Sequence, residues 1–111
     1  SNHARQTAAA CAALGLACHL LLARRVPWPH PGYESSGNVL LDRLCGATVE
    51  IVEPAAMAAA SRARIDALRV AGRRTYLVPT GGSNPTGALG YVRCALELLD
   101  QAREHGFELT D

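Results

Sequence analysis

Residues 16–23, "LACHLLLA", decide the architecture. The run is apolar, of strand length and without a helical stripe, so it reads as a buried parallel strand. Its flanks agree. Upstream, "SNHARQTAAACAALGL" predicts a helix over residues 2–14, with Ala8, Ala9, Ala12 and Leu14 on the inward face. Small side chains let a helix lie close on a sheet, and Gly15 stops it. Downstream, "RRVPWPHPGYESS" (24–36) holds three prolines and a glycine, which exclude a helix or a central strand and leave a loop. Ser35 or Ser36 then caps a helix over "GNVLLDRLCG" (37–46), and the β-branched "TVEIV" (48–52) follows as a second strand.

The alternation continues. Pro54 opens a longer helix over 55–71, with Met57, Ile65 and Leu68 on its apolar side and Arg62 and Asp66 four apart on its surface. "RTYLVP" (74–79) predicts a third strand. "TGGSNPTG" (80–87) leads into a helix over 86–104, with Leu89, Val92, Leu96 and Leu99 as its buried stripe. "FELTD" (107–111) reads as the start of another strand. Strands alternating with helices over short connections predict a three-layer α/β/α fold, with a parallel sheet of three to four strands and helices on both faces. One domain accounts for residues 1–111, and both ends read as cuts through a larger protein.

Composition narrows the function. About half the residues are hydrophobic (49%) and 19% are charged, enough apolar content for a core. A net charge of +1 gives no pull toward nucleic acid or an anionic membrane surface. No apolar run approaches the roughly 20 residues that span a bilayer. Cys11, Cys18, Cys45 and Cys94 are widely spaced with no C-x-x-C pair, which points to reduced, buried thiols and a cytoplasmic protein. No histidines and carboxylates share ligand spacing, so no metal is assigned. All eleven basic residues are arginine, so this segment has no lysine for covalent attachment to a carbonyl cofactor.

Two segments occupy helix starts, where open parallel sheets bind their ligands. In "SNHARQT", unpaired backbone N–H groups and the helix dipole suit a carboxylate or phosphate. Ser1 can donate a hydroxyl and Asn2 an amide to such a ligand, or either can simply cap the helix. In "TGGSNPTG", Gly81 and Gly82 allow close backbone approach, and Ser83 or Asn84 caps the helix. A phosphate cradle and a tight turn both fit. His19, inside an apolar strand, reads as a hydrogen-bonded core histidine. Trp28 and Tyr91 either line a pocket or pack.

Three blocks, "SNHARQTAAACAALGLACHLLL", "GNVLLDRLCGA" and "YLVPTGGSNPTGALGYVRCALEL", together resemble the D-cysteine desulfhydrase and 1-aminocyclopropane-1-carboxylate deaminase family. These are pyridoxal-phosphate lyases with a tryptophan-synthase-β-like fold that act in amino-acid metabolism. The resemblance covers nearly the whole chain and implies most of the small domain of a two-domain, fold-type II enzyme. The Schiff-base lysine and the phosphate cradle are then expected outside this segment, upstream and downstream, in the larger domain. By that resemblance Ser1 and the helix-start amides hold the substrate carboxylate, and Ser1 also helps move a proton. Asn2 hydrogen-bonds the cofactor's phenolic oxygen, and His3 lines the substrate site. Histidine at position 3 and "GGSNPTGALGYV" fit the desulfhydrase branch, which implies α,β-elimination of D-cysteine to pyruvate, sulfide and ammonia, and a homodimer. The alternatives are deamination of 1-aminocyclopropane-1-carboxylate, desulfonation of L-cysteate, or a non-catalytic flavodoxin-like binding domain. The segment "VPWPHPGYES" matches neither branch.

Overall fold

The computed structural model describes residues 1–30 and 32–108. It divides into two compact units, residues 1–76 and residues 77–111. The expected strand at the C-terminal end lies partly on residues 109–111, outside the described residues.

The first unit contains helix α1 (Asn2–Ala13), strand β1 (His19–Ala23), helix α2 (Gly37–Leu44), strand β2 (Thr48–Val52) and helix α3 (Met57–Val70), the last entered through a 3-10 turn at Pro54–Ala56. The strands pair in parallel, His19 opposite Thr48 through Ala23 opposite Val52, and the Arg24 N–H extends the ladder to the Val52 carbonyl at 2.9 Å. Side chains alternate across the sheet, so Leu20, Leu22 and Val49 share one face and Glu50 turns to the other.

Helix α1 covers the first face. Its inward stripe is Ala4 and Ala8, with half-buried Cys11 below them, packed on Cys18, Leu20 and Ala47. The expected face of Ala8, Ala9, Ala12 and Leu14 is therefore rotated: Ala9 and Ala12 are exposed, and Leu14 is 71% exposed. An almost uniform alanine helix has no amphipathic signal to set its rotation, so the sheet and α2 set it. Helix α3 covers the other face, where Arg64 Nη2 meets Glu50 Oε2 at 2.7 Å. Met57, Ile65 and Leu68 are half-buried there. Its surface ion pair is Arg69 with Asp66 at 3.7 Å, not Arg62 with Asp66. His19 is exposed rather than buried, because it opens β1 at the sheet's end.

The layered, parallel α/β arrangement stands, but with two strands among the described residues. Residues 74–79 enter no ladder. The "RTYLVP" pattern meets the propensity requirement. A strand also needs an edge to pair with and cover for its side chains, yet Tyr76 and Leu77 are exposed.

The second unit is one long helix, α4 (Pro85–His105), preceded by a 3-10 turn at Thr80–Gly82. Its expected stripe of Leu89, Val92, Leu96 and Leu99 is exposed, and Ala102 is its buried residue. Cys94, expected to be buried, is exposed on the same helix.

Candidate functional site

The start of α1 is an uncapped helix end. Ser1 occupies the cap position, yet its side chain makes no cap hydrogen bond. The first intrahelical bond runs from the Arg5 N–H to the Ser1 carbonyl at 3.2 Å. Three N–H groups of the first turn, on Asn2, His3 and Ala4, thus have no helical acceptor. The Thr7 hydroxyl donates to the His3 carbonyl at 2.9 Å, within the helix. Ser1 and Asn2 are exposed and His3 is half-buried. The consecutive residues Ser1, Asn2 and His3 therefore put a hydroxyl, a carboxamide and free amide donors at one helix end, a donor set suited to an anion.

A residue from α2 completes this end. Asn38 Nδ2 donates to Asn2 Oδ1 at 3.1 Å. The loop before α2 brings Asn38 there. The Ser36 hydroxyl donates to the Gly32 carbonyl at 2.6 Å instead of capping α2. Gly37 then takes φ +56°, a left-handed turn that favours glycine, and the next residue is Asn38. One turn further along α2, Asp42 is fully buried, and neither carboxylate oxygen has a hydrogen-bond partner among the described residues. Burial pushes the Asp42 carboxyl above its ordinary range, against the pull of Arg5.

Sequence reasoning did not single out Asn38 or Asp42. A charged residue inside "VLLDRL" would ordinarily face solvent. In α2 the polar side goes inward: Asn38 and Cys45 are half-buried and Asp42 is fully buried, while Leu40 and Leu41 are exposed and Leu44 is 73% exposed. The glycine–asparagine pair at the helix start was the available signal for Asn38.

Three of the four cysteines meet in the first unit's core. Cys11 and Cys45 are half-buried against Cys18, and all four thiols are free. Burial, and then the neighbouring Cys11 thiol, push Cys18 up to about 11, so it stays a protonated packing group at neutral pH.

The second expected loop closes on itself. Asn84 Oδ1 accepts from the Gly87 N–H at 2.7 Å, capping α4. A β-carbon at Gly87 would sit 2.0 Å from the Gly82 carbonyl oxygen, so the turn fits only glycine there. Of the two readings of "TGGSNPTG", the geometry is the tight turn.

The proline-rich loop is pinned by charge. Arg24 Nε meets Glu34 at 2.5 Å and Arg24 Nη1 meets Glu53 at 2.5 Å. The hydrogen bond from Arg24, ahead of its charge, holds the Glu34 carboxyl below its usual range. An open cleft of about 460 Å³ lies along the loop, lined by Val26, Trp28, His30 and Tyr33 with Arg24 and Glu34. Trp28 thus lines a cleft, whereas Tyr91 is exposed on α4. Among the described residues, no group of three or more His, Cys, Asp or Glu side chains is placed to hold a metal. Among the same residues, no helix is long and apolar enough to cross a membrane.

Residues 1–108 match the family model described as "Pyridoxal-phosphate dependent enzyme". The chain belongs to that family. Members of the pyridoxal-phosphate dependent family similar to it include the D-cysteine desulfhydrase of Serratia proteamaculans (strain 568), 46% identical over 107 residues, covering 93% of this chain and 32% of that protein. The D-cysteine desulfhydrase of Klebsiella pneumoniae subsp. pneumoniae is 44% identical over 108 residues, covering 94% and 32% respectively. That of Yersinia pestis (strain Pestoides F) is 44% identical over 106 residues, covering 92% and 31%. The chain thus spans about a third of the length of these curated relatives.

Proposed function

We propose that this segment is most of the small domain of a pyridoxal-phosphate dependent lyase, and that the intact protein eliminates sulfide from D-cysteine, giving pyruvate and ammonia. The observation that carries the reading is the uncapped start of α1, whose hydroxyl, carboxamide and amide donors fall on the "SNH" block within the family match. A pyridine cofactor with a phenolic oxygen, and an amino acid with a carboxylate, both need donors of this kind. The donor set fits them, while the absence of lysine puts covalent attachment of the cofactor elsewhere in the intact protein.

When bound, the cofactor supplies the electron sink that makes the α-proton acidic. This chain's residues supply position and charge. The Asn2 carboxamide donates to the phenolic oxygen. The Ser1 hydroxyl and the N–H groups of the first turn would hold and orient the substrate carboxylate. By the family resemblance Ser1 would also help carry a proton, and His3 would line the substrate side. The loop over residues 24–36 borders the entrance.

Three features support the larger context. The family match covers residues 1–108. The outward leucines Leu40, Leu41 and Leu44 of α2 and the apolar residues of α4 fit cover by the remainder of the parent chain or by a second subunit of a homodimer. Four unpaired thiols fit a cytoplasmic location.

The deciding experiment supplies the full-length protein with D-cysteine and measures sulfide and pyruvate. Release of both in equal amounts is expected. Turnover of 1-aminocyclopropane-1-carboxylate or L-cysteate alone would move the protein to another branch of the family. Failure to bind pyridoxal phosphate would end the reading and favour a flavodoxin-like binding domain.

A further inference from the structure

We propose that Asn38 is a positioning residue that fixes which way the Asn2 carboxamide points. The inference rests on the reading of Asn2 as a cofactor-binding residue and adds a residue to it.

A carboxamide presents an acceptor oxygen and a donor nitrogen on opposite sides, and the two ends exchange by a half-turn of the group. Asn2 is useful to an electron-rich phenolic oxygen only if its N–H groups face that oxygen. An Asn2 turned the other way would set oxygen against oxygen. Nothing described on α1 prevents that half-turn, because Asn2 is exposed and its one side-chain hydrogen bond among the described residues comes from α2. In that bond Asn38 Nδ2 is the donor and Asn2 Oδ1 the acceptor, at 3.1 Å. Occupying the oxygen commits the nitrogen to the opposite side, the side left open for a ligand.

The backbone that carries Asn38 is itself set from both directions. The left-handed turn at Gly37 and the Ser36–Gly32 hydrogen bond set where α2 begins. One turn later Asp42 is sealed from solvent against the neighbouring helix. Ala4 and Ala8 on α1, both buried, add no bulk that would hold α2 away. The first turns of the two helices therefore stay in register.

The test uses the full-length protein with pyridoxal phosphate and four variants: N2A, N38A, N38D and the N2A/N38D pair. Aspartate at position 38 can only accept, so it draws the Asn2 N–H groups toward α2 and turns the Asn2 oxygen to the cofactor. A carboxylate in the first turn of a helix is also favoured by the helix dipole, so N38D is expected to fold, and its melting temperature checks that. The primary readout is the visible absorption of the bound cofactor and its pH titration, which report hydrogen bonding at the phenolic oxygen without turnover.

N38D is expected to shift that titration further than N38A and to lower turnover about tenfold, the scale of one lost hydrogen bond. In the N2A background N38D is expected to add nothing. A wild-type spectrum and titration in N38D, with N2A shifted, would overturn the role of Asn38 alone. An N38D effect undiminished by N2A would also overturn it. A wild-type spectrum in N2A itself would overturn the role of Asn2 and this inference together.

Discussion

Two helices in this chain begin with the same pair of residues, and they use it in opposite ways. Ser83 and Asn84 precede α4, where the Asn84 carboxamide accepts from the Gly87 N–H and closes the helix end on itself. Ser1 and Asn2 start α1, where Ser1 makes no side-chain cap bond and Asn2 is engaged by a different helix. The register of the pair decides this. In α4 the asparagine is the cap residue; in α1 the serine is the cap residue, and the asparagine is already the first helical position. A cap asparagine reaches its own helix amides, whereas an asparagine one residue later points sideways. A helix end that satisfies itself is architecture. One that leaves its donors open keeps them available to a ligand.

The strongest way to break the comparison is to truncate both asparagines in the full-length protein. Asn2→Ala is expected to lower turnover by about 10²-fold or more with little change in melting temperature, as for loss of one donor at a reacting centre. Asn84→Ala is expected to cost stability, ~1 kcal/mol for a lost cap, with turnover per folded molecule unchanged. Denaturant melts and steady-state rates on both variants check this, and a reversed pattern would mean the capped and open ends have been misassigned.

Gly87→Ala sharpens the α4 side. Its β-carbon would meet the Gly82 carbonyl, a backbone atom that cannot swing aside, so the turn must open. A loss of ~1–3 kcal/mol is expected, read by denaturant melts.

Asp42 tests how α2 supports the α1 side. Burial raises its carboxyl above the ordinary 3.8, so the folded state favours the protonated form. That contribution is fully present below the unfolded value and is lost as pH rises through the folded one. Asp42→Asn keeps the shape and does not titrate. It is expected to match the wild type in acid and to become the more stable protein as pH rises, by on the order of 1 kcal/mol. Melting curves across acid to neutral pH check the sign.

The smallest effect is expected at the proline-rich loop. The hydrogen bond from Arg24 lowers the Glu34 carboxyl below its ordinary 4.5, so their contribution is present above the unfolded value and fades as pH falls through the folded one. Both groups are exposed, and water screens them. Arg24→Ala is expected to leave the melting temperature nearly unchanged at neutral pH and to increase protease cutting within residues 24–36.

Local chemistry was enough for the elements themselves. Glycine and proline positions bounded the helices, and "TVEIV" formed its strand over the residues expected, Thr48–Val52. In the "SNH" block, hydroxyl and amide side chains at a helix start fit a cap or a ligand alike, and the family resemblance is what made it a candidate site. The third strand was not legible, because propensity at residues 74–79 says nothing about whether an edge is available to pair with.

Which face each helix turns inward was also beyond the sequence. Alanines around all of α1 are alike by hydropathy, so only contact with Cys18, Leu20 and Ala47 selected Ala4 and Ala8. In α2 a pattern reader would bury the leucines, yet Asn38 and Asp42 turn inward. The sequence by itself determined where the chain bends, which segments are helical, and which polar residues stand at the helix starts, because those depend on backbone preferences within a few residues. Tertiary structure alone brought Asn38 against Asn2, 36 residues away, and sealed Asp42 between elements. Those choices depend on which surfaces meet, and hydropathy within one helix does not encode its partner.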